Sequence, residues 1–136
     1  MKILVDTNVI LDIFLQREPF FKTSLNSLQK AISLDFECFI SVTAATDIYY
    51  VLRKSLKSKE QAKYCISKIT NLAKFCDVMS SDINSALLSE ISDFEDAVVD
   101  SIAIRNDMDF IITRNVKDFE QSETPVLTPT EFLSRF

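Results

Sequence analysis

The sequence predicts a single α/β domain over residues 1–136, three-layered, with a mostly parallel sheet of about five short strands flanked by helices. Three observations predict it: short apolar runs alternate with stretches of helical periodicity, the length suits one core, and no linker or repeat interrupts the chain. The strand candidates are Lys2 to Val5, Cys38 to Val42, Phe75 to Val78, Phe110 to Thr113 and Pro125 to Leu127. Each is too brief for a helix and rich in β-branched or aromatic residues. Helical patterns fall at Asn8 to Gln16, Phe20 to Leu34, Ala44 to Leu56, Lys59 to Ala73, Ile83 to Ile91 and Asp93 to Asn106, with Pro19 separating the first two. Ser92-Asp93-Phe94-Glu95 and Thr128-Pro129-Thr130-Glu131 each offer a hydroxyl cap with a Glu three residues on, so both are expected to start helices as capping boxes. In such a fold, ligands collect beyond the carboxyl ends of the strands.

Composition excludes several chemistries. The chain has no glycine, where average usage of about 7% would supply nine or ten. Glycine-dependent phosphate loops, the dinucleotide fingerprint and the Gly-x-Ser-x-Gly elbow are therefore ruled out. Histidine is also absent, which removes Ser-His and Cys-His nucleophile pairs and His-ligated zinc. Base chemistry falls to carboxylates or to water activated by a metal ion. Cys38, Cys65 and Cys76 are odd in number and widely spaced, so they are expected to be buried thiols and not a disulfide framework. No apolar run approaches the eighteen residues needed to span a bilayer, and the expectation is a soluble, cytoplasmic protein.

The net charge of −5 is unevenly spread. Arg53 to Lys68 holds six basic residues against Glu60 alone, whereas Asp77 to Ile104 holds seven acids and no Lys or Arg. One region is suited to anionic ligands and the other to cations. Arg53, Lys54 and Lys57 are the candidates for contacting an anionic ligand, with a solvated helix surface as the competing explanation.

Four strand exits carry oxygen ligands. Asp6 closes the first strand and leads through Thr7 and Asn8 into a helix; Asp47 is expected in the first turn of the helix after the second strand. Each could serve only as a helix-start carboxylate. In Asp93-Phe94-Glu95-Asp96-Ala97-Val98-Val99-Asp100, spacings of three and four put Asp93, Asp96 and Asp100 along one helix face, where like charges repel. Capping accounts for Glu95 and part of Asp93, but not for Asp96 against Asp100, and a cation would resolve the conflict. After the fourth strand, Thr113-Arg114-Asn115-Val116-Lys117-Asp118 brings Asn115 and Asp118 to the same edge. An all-oxygen site without His or Cys selects Mg²⁺ or Mn²⁺, and metal-assisted phosphodiester hydrolysis is the chemistry that follows.

Asp6-Thr7-Asn8-Val9-Ile10-Leu11-Asp12, the segment Ser41 to Asp47 running into Tyr49-Tyr50-Val51-Leu52, Asp93-Phe94-Glu95-Asp96-Ala97 and Thr113-Arg114-Asn115-Val116-Lys117-Asp118-Phe119 together resemble a PIN domain, and within that family the VapC-type toxins. The resemblance runs in order along essentially the whole chain. It implies a Mg²⁺- or Mn²⁺-dependent endoribonuclease, an RNA substrate, a cognate antitoxin protein as partner, room for a homodimer and no membrane. Carried over by position, it makes Asp6 and Asp96 the metal ligands, Asp47 a third acid where the family more often has Glu, and Asn115 the fourth position, with Asp118 compensating for the missing charge. Asn8, Asp93, Asp100 and Thr113 are supporting residues. Two alternatives remain open: a PIN-like binding module whose catalysis has decayed, and a small phosphatase with Asp6 as nucleophile, which the Asn8 position and the lack of a cap domain disfavour.

Overall fold

The computed structural model describes residues 1–136. The chain runs β1 (Lys2–Val5), α1 (Thr7–Phe14), α2 (Phe21–Ser33), β2 (Glu37–Ser41), α3 (Val42–Leu56), α4 (Lys59–Leu72), β3 (Lys74–Cys76), α5 (Ser80–Leu88), α6 (Phe94–Arg105), β4 (Phe110–Ile112), a 3₁₀ turn (Val116–Phe119), β5 (Val126–Leu127) and α7 (Pro129–Arg135). The five strands form one sheet in the order β3-β2-β1-β4-β5, and every pairing is parallel. The order reverses beside β1, where the chain leaves toward β2 on one side and β4 on the other. That is where a doubly wound sheet opens a crevice for ligands.

Period-two alternation divides the core between the faces. Ile3 and Val5 of β1, Cys38 and Ile40 of β2, and Phe110 and Ile112 of β4 pack with Val9, Leu28, Ile48, Leu52, Ile69 and Phe132 on one side. Leu4 and Ile111 point the other way, onto Ala97, Val98, Ile102 and Phe119. Burial on both faces explains why the central strands read as continuous apolar runs. Phe36, Phe110, Phe132 and Phe136 meet mostly edge to face and seat α7 against the domain.

Several local expectations shift. The box at Thr128 forms as expected, its Oγ1 accepting from the Glu131 N–H and the Glu131 carboxylate accepting from the Thr128 N–H. At α6 the cap is Asp93, not Ser92: Asp93 Oδ1 accepts from the Asp96 N–H at 3.0 Å. An Asp carboxylate is at least as good a cap as a serine, and the helix starts one residue later. Helix α3 begins at Val42 because Ser41 caps it through the Ala44 N–H, which moves Asp47 into the second turn. Helix α5 starts earlier than its apolar pattern suggests, since Asp82 reaches back to the Met79 N–H. Without glycine, left-handed backbone after α1, α2, α3 and α6 falls on Gln16, Asp35, Lys57 and Asp107, each at a cost of about 1 kcal/mol relative to glycine.

All three cysteines are free. Burial raises each thiol, that of Cys38 to about 11, so they behave as small hydrophobes. No helix is long and apolar enough to cross a membrane.

Candidate active site

Asp6 stands where β1 ends and α1 begins. Its own N–H is held by the Ile112 carbonyl at 2.9 Å, which ties it to the neighbouring strand. As the cap of α1 it accepts the Thr7 N–H on Oδ1 at 2.8 Å. Oδ2 accepts from the Thr113 hydroxyl at 2.7 Å and from Asn8 Nδ2 at 3.2 Å. Thr113, fully buried at the end of β4, is a hub. While its hydroxyl donates to Asp6, its oxygen accepts from Asn8 Nδ2 at 3.2 Å and from the Asn115 N–H at 3.1 Å. Asn8 also accepts the Arg114 N–H, so the two loops leaving β1 and β4 are locked together around one carboxylate. The capping reading of Asp6 is therefore correct but incomplete: one oxygen caps, and the other is oriented by residues brought in from β4.

Beneath this layer is an ion pair absent from the sequence reading. Arg114 Nε and Nη2 reach the two oxygens of Asp12 at 2.6 and 3.1 Å. Asp12 is completely buried and also accepts from Ser24 Oγ. Arg114 lies over the Phe20 ring at 4.0 Å. The guanidinium is therefore engaged with Asp12, although its field still lowers Asp6 somewhat.

The acidic groups gather above. Asp96 lies in the first turn of α6, and its carboxyl is pushed up to about 7, first by burial and then by the charges of Asp6, Asp93, Asp118 and Glu95. Asp6 is raised mainly by burial, with Asp118 adding to it. Glu95 is raised by burial and by Asp47, Asp6 and Asp93. Asp6, Asp93, Glu95, Asp96 and Asp118 are thus close enough to repel one another, with Asp47 on the rim acting on Glu95. Glu95 is the acid that sequence reasoning set aside as a cap. With the helix start moved to Asp93, it is released to line a depression with Asp6, Thr7, Ser41 and Thr43. The misplaced cap hid it; two adjacent acids beginning one helix were the available signal.

The other candidates divide. Asn8 and Thr113 contact Asp6 directly. Asn115 offers its N–H to Thr113 while its side chain is exposed and makes no cap bond. Asp93 spends one oxygen on its cap. Asp100 is not with this group: one turn further along α6 it is buried, accepts from Ser122 Oγ and lines a larger cavity between α5 and α6 with Ser81, Asp82 and Arg105. A four-residue step rotates about 40° around a helix and rises about 6 Å, enough to turn a side chain to another neighbour. Arg53, Lys54 and Lys57 are exposed near the far end of α3.

No three Asp, Glu or Cys side chains of the chain are gathered closely enough to share an ion. The donor set nonetheless fits a hard cation. All donors are oxygen, the acids raise one another, and the one nearby arginine is committed to Asp12. Mg²⁺ asks for one or two carboxylates and keeps its waters, which Asp6 and Asp96 can satisfy without a closed cage.

A doubly wound parallel domain with carboxylates crowded at the carboxyl edge of its sheet and no histidine belongs to the class of acidic-site α/β domains. Its family is more specific. The PIN domain family matches residues 2–117, and the chain belongs to that family. Ribonuclease VapC1 of Aquifex aeolicus is 29% identical over 140 residues, spanning 99% of this chain and 95% of that protein. In structure, VapBC2 of Rickettsia felis bound to a fragment of its promoter DNA aligns with a TM-score of 0.75 at 18% identity, covering 94% of this chain and 98% of that one. The sarcin-ricin-loop-cleaving toxin VapC20 of Mycobacterium tuberculosis aligns at 0.65 and 12% identity, covering 90% and 98%.

Proposed function

We propose that this protein is a Mg²⁺- or Mn²⁺-dependent endoribonuclease and the toxin of a toxin-antitoxin pair. The observation that carries the reading is the crowding of Asp6, Asp96, Glu95 and Asp118 from three separate segments at the carboxyl edge of the sheet, beside an arginine whose ion pair is made with Asp12. Similarity to a VapC ribonuclease along nearly the whole chain supports it, and the PIN family leaves the aspartate-phosphatase alternative without support.

Asp6 and Asp96 are the residues that would hold the ion, and when bound it activates water and offsets the charge that builds on the phosphodiester. Thr113 and Asn8 fix the Asp6 carboxylate so that it need not reorganise during reaction. Asp47, Asn115 and Asp118 orient water at the rim. Glu95, whose carboxyl is raised by burial and then by the charges of Asp47, Asp6 and Asp93, is placed to hold or give up a proton beside the scissile bond. Arg53, Lys54 and Lys57 contact backbone phosphates.

Relatives solved as toxin-antitoxin complexes support a cognate antitoxin that presents Arg or Lys to Asp6 and Asp96. The reading makes the protein cytoplasmic, where RNA and antitoxin meet.

The test is incubation of purified protein with mixed cellular RNA in Mg²⁺, Mn²⁺, Zn²⁺ or chelator. Cleavage is expected with the first two, poorly with Zn²⁺ and not in chelator. Undiminished cleavage in excess chelator, or wild-type cleavage by Asp96→Asn, overturns the reading. Absence of cleavage together with antitoxin binding returns the decayed binding module.

A further inference from the structure

The exposed side of α3 links the acidic depression to a cationic notch. Ala44, Ile48 and Leu52 form the buried side of the helix. Residues facing the opposite way by helical geometry are Thr43, Thr46, Asp47, Tyr50, Arg53, Lys54 and Lys57, and all of them are exposed. At the upper end Thr43 lines the depression beside Asp6 and Glu95. At the lower end Tyr50, Arg53, Lys54, Lys57 and Lys59 line a notch where α3 turns into α4. The left-handed backbone at Lys57 makes this turn tight, bringing Lys57 and Lys59 round to the same notch as Arg53 and Lys54.

None of the four cations is neutralised. The ion pairs of the chain are Lys74 with Glu37, Arg105 with Asp82 and Arg114 with Asp12. The nearest acid in sequence, Glu60, accepts from Ser58 Oγ. Four unpaired positive charges around one concavity suit a solvated face poorly, since neighbouring like charges on a helix repel. Beside them Tyr50 is 66% exposed, although a tyrosine with no packing partner loses the burial its ring would otherwise gain. Cations for phosphate and an exposed aromatic ring for a base are the two components of single-strand recognition.

We propose that this notch is a second RNA subsite, in which Arg53, Lys54, Lys57 and Lys59 hold a backbone phosphate and Tyr50 stacks a base of the same single strand. The inference rests on the ribonuclease reading and extends it. From Thr43 to Lys57 the helix rises about 20 Å, and Tyr50 lies about midway. The subsite therefore holds nucleotides several positions from the cut bond, and it requires that stretch to be unpaired. It contributes affinity and a minimum substrate length without base choice.

The test uses wild-type protein and variants in chelator, so that nothing is cut. Binding of a labelled single-stranded RNA octanucleotide, and of the same strand paired in a duplex, is read by fluorescence anisotropy. Tyr50→Ala and the double Lys54→Gln, Lys57→Gln variant are each expected to weaken octanucleotide binding about tenfold. Tyr50→Phe should restore it, the double variant should flatten the salt dependence, and Tyr50→Ala should not weaken binding of the duplex, whose bases are already stacked. All these side chains are exposed, so folding is not at risk. Unchanged octanucleotide affinity and salt slope overturn the subsite, and so does equal weakening of duplex binding by Tyr50→Ala. A separate measurement isolates the parent reading: if the octanucleotide binds with this Tyr50 dependence but no RNA is cut in Mn²⁺, the ribonuclease reading fails and the subsite stands.

Discussion

Replacing Asp96 with Asn in the metal-free protein is expected to stabilise it above neutral pH and to change little in acid. Burial and four neighbouring acids hold the Asp96 carboxyl near 7 instead of 3.8. The folded state therefore binds this proton more tightly than the unfolded chain. Its stabilising effect is fully present below about pH 4, and it is lost as the pH rises through about 7. A shift of about three units at 1.36 kcal/mol each sets an upper limit of about 4 kcal/mol. Asp96 is partly exposed, so solvent and salt reduce this, and its first-turn position returns about 0.3–1 kcal/mol through the helix dipole. A net gain of about 1–2 kcal/mol remains for Asn. With about 2 cal/mol/K of unfolding entropy per residue, that is about 4–7 °C in Tm for a chain of this size. Calorimetry in chelator at pH 8 and pH 5 should show the full rise at pH 8 and less than half of it at pH 5, because the loss begins near the unfolded value of 3.8 and is complete near 7. Stabilisation of the wild type by Mn²⁺, which arises from binding the native state, should be mostly lost in the variant. A lower Tm at pH 8 in chelator together with an unaltered Mn²⁺ shift would refute the reasoning and return Asp96 to the role of an ordinary helix-start carboxylate.

Three further outcomes follow from the same contacts. Arg114→Met leaves the buried Asp12 carboxylate uncompensated and should destabilise the fold by about 3–5 kcal/mol by chemical denaturation, with the double Asp12→Asn, Arg114→Met variant recovering much of the loss; equal losses in both would dissociate the pair. Thr113→Val removes the donor to Asp6 and the acceptor for Asn8 and Asn115, so about 1–3 kcal/mol of stability should go, and Mn²⁺ affinity measured by calorimetric titration should fall with it. Neutralising Asp6 and Asp96 together should weaken antitoxin binding, read by surface plasmon resonance, and unchanged affinity would place that interface elsewhere.

Much of the fold was legible because short-range chemistry writes it. The apolar triplet Ile3-Leu4-Val5 ends at a charge and a capping residue, and that pattern alone makes a buried strand with a ligand-facing end. Thr128-Pro129-Thr130-Glu131 satisfies its own backbone donors within one turn, so no distant residue could change the outcome. The acids that follow β1, β2 and β4 were legible for a related reason, since a parallel sheet sends every strand end to one edge; the expected fourth strand exit is instead the start of α6, which follows α5 and no strand, so tertiary packing brings Asp96 to that edge.

Where two local solutions were nearly equal, or where partners were far apart, the sequence was silent. Ser92 and Asp93 can both cap α6, and the fold uses Asp93, which leaves Glu95 free to line the depression beside Asp6. Spacing placed Asp100 with Asp96, but a rotation of about 40° sends it to Ser122. Asp12 and Arg114 are 102 residues apart, as Thr113 and Asp6 are 107 apart, and nothing local in either segment names its partner. By itself the sequence determined the strands, the helices, the oxygen-only chemistry and the edge where it collects, because these depend on neighbours in the chain. Which oxygens converge, which one is held rigid and which charge is left unpaired were decided only when β1 and β4 paired, because desolvation and hydrogen bonding at Asp6 arise between segments that meet only in the folded state.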